Sequence, residues 1–416
     1  MHSMIKQDWA AAINTLKPSR KELDRGLKLH AESVVFDAYA LGIYGQGSRD
    51  WDSWYIGAVE KKIQEGASFL ELADFAEEMG QLRNLTDKKA WDYYRYAFKT
   101  SGVTCIFQNA GQERQDSMRL LRRITRHTLI TDFRKDFVRK AASPDDIIKA
   151  KKENRHALYF MCNEVPLPQR WESAQSELDL IHLFFQLGIR MMHLTYNRRN
   201  MIGDGCGESA NSGLSDFGKA VISEMNRTGV IVDVAHSGWL TSKEAAMISC
   251  KPVVASHSGC AALNNHYRCK PDDVIKAIAD SGGYIGICCI GRFLGGDCSI
   301  KSLLDHIKYA VKKFGADHVA IGTDRKMPHS GNIIPPVENF PRGRKGWAGL
   351  WPPASSPVDF EKISGAAPTL AWTNWPIFTV GLVQKGFKDA DIRKIIGENV
   401  MRVAKEVLSE SAFIRY

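Results

Sequence analysis

A chain of 416 residues, 44% hydrophobic and 25% charged, is long enough to bury a sizeable core and too apolar to remain disordered. Its net charge of +9 is scattered in pairs such as Lys61–Lys62 and Lys312–Lys313, with no stripe of basic and aromatic residues, which speaks against a nucleic-acid partner. The nine cysteines show no C-x-x-C spacing and read as buried, reduced thiols. No apolar run reaches the length of a membrane span and the first residues lack a signal-peptide core, so the expectation is a soluble cytoplasmic protein with a small-molecule partner and no membrane contact.

In chain order, residues 1–32 read as a helical N-terminal extension. From about Val34 short apolar runs alternate with longer amphipathic stretches, the pattern of βα units around a parallel sheet. The strand-like runs are SVVFDAYA, GVTCIFQNA, HALYFMCN, IRMMHLTYN, GVIVDVAHS, KPVVASHS, GGYIGICCI and DHVAIGTD. Eight such runs suit the α/β class and a closed (β/α)8 TIM barrel. The helical stretches include SELDLIHLFFQLG, LSDFGKAVISEMNRTG, TSKEAAMISC, KPDDVIKAIADSGG and SIKSLLDHIKYAVKKFG, several ending on a Gly stop. Residues 326–371, rich in Pro, Gly and Trp, form a long loop insertion after the last strand, and DADIRKIIGENVMRVAKEVL reads as a pair of amphipathic helices. No linker interrupts the rhythm, so residues 1–416 are expected to form a single domain.

In such a barrel, catalytic groups stand at the C-terminal ends of strands and face one mouth. His236 and His257 end successive strand-like runs, so their imidazoles are placed to converge on one metal ion; the alternative is a separate hydrogen bond for each beside its turn. Asp324 ends the last run and suits a metal ligand, a general base or a cap on the next segment. Arg268, in the loop beyond His257, is placed to clamp a carboxylate or to lie in solvent. Tyr196 and Asn197 suit substrate positioning, and Tyr39 and Asp37 suit the lining of the mouth. Trp372 and Trp375 read as packing in preference to an aromatic wall for a ligand.

From about Leu180 to Asp324 the sequence resembles the membrane dipeptidase (renal dipeptidase, M19) family. The phrases that carry the likeness are LGIRMMHLTYN, GLSDFGKAVISEMNRTGVIVDVAHSG, KPVVASHSGCAAL, NHYRCKPDDVIKAIADSGGYIGI and DHVAIGTD, with IIGENVMRV near the C-terminus. The resemblance implies a zinc-dependent barrel of the amidohydrolase type. It makes His236 and His257 zinc ligands, Arg268 the arginine for the substrate carboxylate and Asp324 the catalytic aspartate. Three departures mark an atypical member with an altered metal site. Family members carry a His-x-Asp pair on the first strand where this chain has Tyr39 and Leu41. A bridging glutamate follows their third apolar run where this chain has Cys162 or Asn163, with Glu164 displaced. Their active-site histidine after Leu-Thr is here Tyr196.

The expected function is therefore metal-dependent hydrolysis of a dipeptide or small amide-like bond. One zinc ion per chain would be held by His236, His257 and a third ligand from Asp324, Glu164, Asp37 or water. The alternatives are an enzyme acting on a modified or N-substituted amino acid and a binding protein on the same scaffold. A homodimer is the default assembly.

Overall fold

The computed structural model describes residues 2–43, 53–111, 115–327, 337 and 366–408. Eight parallel strands form the barrel: β1 Phe36–Ala40, β2 Cys105–Asn109, β3 His156–Cys162, β4 Ile189–His193, β5 Ile231–Asp233, β6 Val253–Ser258, β7 Ile285–Ile287 and β8 Val319–Ile321. They pair in sequence order from β1 to β8, and each lies within one of the eight apolar runs. The ring closes just past β8, where Asp324 N–H donates to Tyr39 O (2.9 Å) and Leu41 N–H to Arg325 O (3.0 Å). Beyond these bonds, Lys326–Met327 pairs in parallel with Gly42–Ile43. The protein is thus a (β/α)8 barrel.

Strand alternation sorts the core into two layers. On β3, Ala157, Tyr159 and Met161 fill the barrel interior with Phe36, Phe107, Met191, Ile231 and Val254. Leu158, Phe160 and Cys162 face the helices. The side-chain period of two sets this division, and each fully buried large apolar side chain contributes about 1.5–3 kcal/mol.

The helices turn the chain back to the next strand. Asp216–Thr228 starts at Ser215, whose hydroxyl accepts from Gly218 N–H, and buries Val221, Ile222 and Met225. It stops at Gly229, whose φ of 82° suits a residue without Cβ, and two residues later the chain is in β5. Three helices over residues 53–101 lie between β1 and β2, an elaboration that counting strands did not foresee. The helices His2–Leu16 and Arg20–Glu32 pack against Ala366–Thr369 and Trp375–Gln384 respectively. Most of the 326–371 insertion lies outside the described residues. All nine cysteines are free thiols, and only Cys250 is exposed. Among the described residues no helix is long and apolar enough to cross a membrane.

Candidate functional site

Three strand ends bring imidazoles together at the barrel mouth. His257 lies on β6, His236 lies three residues past the end of β5, and both are fully or almost fully buried. Their Nε2 atoms are 2.9 Å apart. His236 Nδ1–H donates to Asn197 Oδ1 (2.7 Å), and His257 Nδ1 meets the Ser256 hydroxyl at 2.8 Å. Each ring is therefore held through Nδ1, while the two Nε2 atoms meet at hydrogen-bond distance and that of His236 also faces Arg268 Nη2; a partner on one ring nitrogen is what orients a metal-binding histidine. Burial, then the positive charge of Arg268, drives both pKa values far below the ordinary histidine range. Neutral imidazole is the form that binds a metal.

The third imidazole belongs to His193, at the end of β4. The β4–β5 register sets Met191 beside Ile231, Met192 beside Val232 and His193 beside Asp233. Met191 and Ile231 point into the barrel, so a period of two turns His193 and Asp233 inward as well. His193 Nε2 lies 2.8 Å from Asp233 Oδ2, with both side chains fully buried. The atoms are at ion-pair distance, yet their angle is not that of an aligned hydrogen bond: both nitrogens of His193 and Asp233 Oδ2 are buried without one. Asp233 Oδ1 accepts from Ala235 N–H (2.9 Å) and Ser256 N–H (3.0 Å). Burial opposes ionisation of this carboxyl, but His193 and the Ser256 donors prevail and lower its pKa. One ligand atom from each of His193, Asp233 and His257 lies within 4.8 Å of the others, and this is the one such group among the described residues.

The β1 side of the mouth has a different chemistry. Tyr39 is buried, and its ring stacks on His257 with centroids 3.7 Å apart and planes at 16°. Its hydroxyl donates to Asn163 Oδ1 (3.0 Å) and accepts from Asn109 Nδ2 (2.8 Å). Behind it, Asp37 accepts from the backbone N–H groups of Tyr39 and Thr323, the Thr323 hydroxyl and the indole N–H groups of Trp372 and Trp375. Burial pushes the Asp37 carboxyl up to about 6 against these donors. Trp372 and Trp375 are buried around it, as packing residues and not as a ligand wall.

The remaining expected residues surround the histidines. Tyr196 is partly exposed and stacks on His236, with centroids 4.3 Å apart and planes at 19°. Asp324 is also partly exposed at the rim, with its Oδ2 4.0 Å from Cys288 Sγ. Desolvation pushes its carboxyl up to about 6 against Arg268, Arg325 and His193, an effect that its remaining solvent contact limits. Asp324 and Asn197 adopt left-handed backbone, with φ of 52° and 62°, which Asp and Asn tolerate better than other side chains and which collects at functional sites.

Arg268 is fully buried. It donates to Ala235 O and to His257 O (3.2 Å), and its Nη2 lies 3.2 Å from His236 Nε2. It is built into the two histidine turns and does not reach out into solvent. Nearby, Lys270 Nζ donates to Ser237 O (2.6 Å) and the Ser242 hydroxyl (2.9 Å), with burial driving its pKa down to about 7.

These residues fit one metal ion and not the two of the family pattern. The His236–His257 pair offers converging neutral nitrogens, and the buried atoms of His193 and Asp233 that lack aligned partners lie beside it. A second ion would need the His-x-Asp pair and the bridging carboxylate, and there the Tyr39 hydroxyl bonds to two asparagines. The carboxylates considered for a third ligand, Asp37, Glu164 and Asp324, do not belong to the convergent group, and His236 stands next to that group through its 2.9 Å approach to His257. Glu164 instead accepts from Asn200 Nδ2 (3.1 Å). Sequence reasoning missed His193 and Asp233, although both continue the inward parity of their strands and end them with ligand-type side chains.

A family model described as Membrane dipeptidase (Peptidase family M19) matches residues 87–331, a range that holds every residue of the histidine side and leaves out Tyr39. Dipeptidase verJ of Clonostachys rogersoniana is 29% identical over 226 residues, covering 54% of this chain and 50% of that protein. The chain thus matches about half the length of this curated relative. Among solved structures, an amidohydrolase from Pseudomonas aeruginosa superposes with a TM-score of 0.65 at 22% identity, covering 92% of this chain and 98% of the other. The probable dipeptidase PvdM from the same organism gives 0.65 at 20% identity, covering 94% and 99%. At these identities the structural likeness speaks for the fold.

Proposed function

The chain belongs to the membrane dipeptidase family, and on that premise we propose that it hydrolyses a dipeptide or a small amide-like bond with the help of one bound zinc ion. The observation that carries this reading is the convergence of the neutral His236 and His257 imidazoles, 2.9 Å apart at Nε2, beneath a rim formed by Asp324 and Tyr196. A bound ion supplies Lewis acidity and lowers the pKa of its water to about 7. Asp324, with its carboxyl near 6, takes the proton of the attacking water and returns it to the leaving nitrogen. Tyr196 lies over the His236 ring and bounds the space for the substrate. Arg268 attracts the substrate carboxylate through its charge; a direct two-pronged contact requires it to release Ala235 O or His257 O.

The rebuilt β1 side supports one further reading, an enzyme whose substrate is an N-substituted amino acid in place of an ordinary dipeptide. The experiment is a screen of dipeptides and N-acyl amino acids with zinc-loaded protein, scored by release of the free amine, together with Asp324→Asn. Turnover of at least one class, reduced about 10²–10⁴-fold in Asp324→Asn with ion content unchanged, is the expected result. No turnover of either class, or full turnover without Asp324, overturns the reading.

A further inference from the structure

The three imidazoles at the mouth form a nearly equilateral triangle. Ring centroids are 5.1 Å apart for His193 and His236, 5.3 Å for His193 and His257, and 4.9 Å for His236 and His257. An imidazole centroid lies about 1.1 Å beyond its ligating nitrogen, so with Zn–N bonds of about 2.0–2.1 Å and tetrahedral angles three such rings stand about 5.2 Å apart. The observed triangle has that size. It is also buried, since all three rings are at most 2% exposed.

Hydrogen bonding alone does not account for His193. A buried polar nitrogen ordinarily finds a partner, yet neither ring nitrogen of His193 has an aligned one, nor has the facing Asp233 Oδ2. His193 is moreover absent from the ligand set implied by the family resemblance. Across the mouth, the Tyr39 hydroxyl is held by Asn109 and Asn163, and its ring lies flat against His257. The face of His257 turned toward β1 is thus covered by the Tyr39 ring.

We propose that this chain holds a single divalent transition-metal ion on the convergent group of His193, Asp233 and His257, with His236, whose Nε2 lies 2.9 Å from His257 Nε2, as its third imidazole, while Tyr39 closes the second-ion position. Relative to the family pattern the β5–β6 histidines are kept and the β1 and β3 ligands are lost, with His193 on β4 supplying a ligand in their place. This rests on the metal-dependent reading above, but it concerns the ligands and not turnover.

The test uses the full chain, stripped with a chelator and reloaded with zinc or cobalt(II). Ions per chain are counted by plasma mass spectrometry and imidazole ligands by X-ray absorption fine structure. The wild type is expected to take up one ion with three imidazoles. His193→Gln is expected to bind it at least 10-fold more weakly, with two imidazoles and a changed cobalt absorption band. Should the variant not fold, the wild-type imidazole count alone decides between three and two. Two ions per chain, two imidazoles in the wild type, no ion taken up from excess zinc, or an unchanged centre in His193→Gln each overturn the assignment. One ion on three imidazoles in a protein that cleaves no amide supports the ligand assignment while removing the hydrolase reading.

Discussion

The two sides of the barrel mouth are built on opposite principles. On β4–β6, His193, Asp233, His236 and His257 crowd together, with several buried atoms lacking aligned hydrogen-bond partners. On β1–β3, Tyr39, Asn109 and Asn163 bond to one another, and Asp37 collects five donors. A region whose polar atoms are mutually satisfied is a structural plug, whereas one that leaves buried ligand-type atoms facing a common point is prepared for something to bind. The same barrel end therefore holds a histidine half with unaligned buried polar atoms and a plugged half whose polar atoms bond to one another.

The largest expected effect comes from emptying the histidine half. His236→Ala with His257→Ala should reduce amide hydrolysis by about 10³-fold or more and ion affinity by about 10²-fold or more, read by amine release and by ion content after dialysis. The fold should persist, because the β1 network is untouched. Retained turnover in this double variant would break the comparison, since it would place the chemistry elsewhere.

The next effect belongs to the plug. Asp37→Ala strands two backbone amides, a hydroxyl and two indole N–H groups in the core, and should cost about 4 kcal/mol. At about 2.1 cal/mol/K of unfolding entropy per residue, that lowers the Tm of a 416-residue chain by about 5 °C, measurable by calorimetry. Asp37→Asn keeps an acceptor and should lose less. A Tm unchanged in Asp37→Ala would remove the structural role assigned to this side.

The smallest effect sharpens the contrast. Tyr39→Phe removes one hydroxyl between Asn109 and Asn163 and should cost about 1 kcal/mol with ion content unaltered, because the ring against His257 remains. A Tyr39→Phe protein that gained a second ion would show that the hydroxyl network, and not the ring, closes that position.

Much of this protein was legible in one dimension. Strands and helices are local in sequence, so period-two and period-3.6 apolar patterns sufficed to mark the eight strands of the barrel and several of its helices, and with them the placing of His236, His257 and Asp324 at strand ends. The departures at Tyr39 and Asn163 were visible too, though not what those residues do instead. Only the tertiary structure decided that His193 stands beside Asp233, because this depends on the β4–β5 register across 40 residues. The same holds for the bonds of Asp37 to Thr323, Trp372 and Trp375, at separations of 286, 335 and 338 residues. Apolar periodicity reports which way a side chain faces relative to its own strand; what it meets there is settled when the barrel closes and distant segments share one interior.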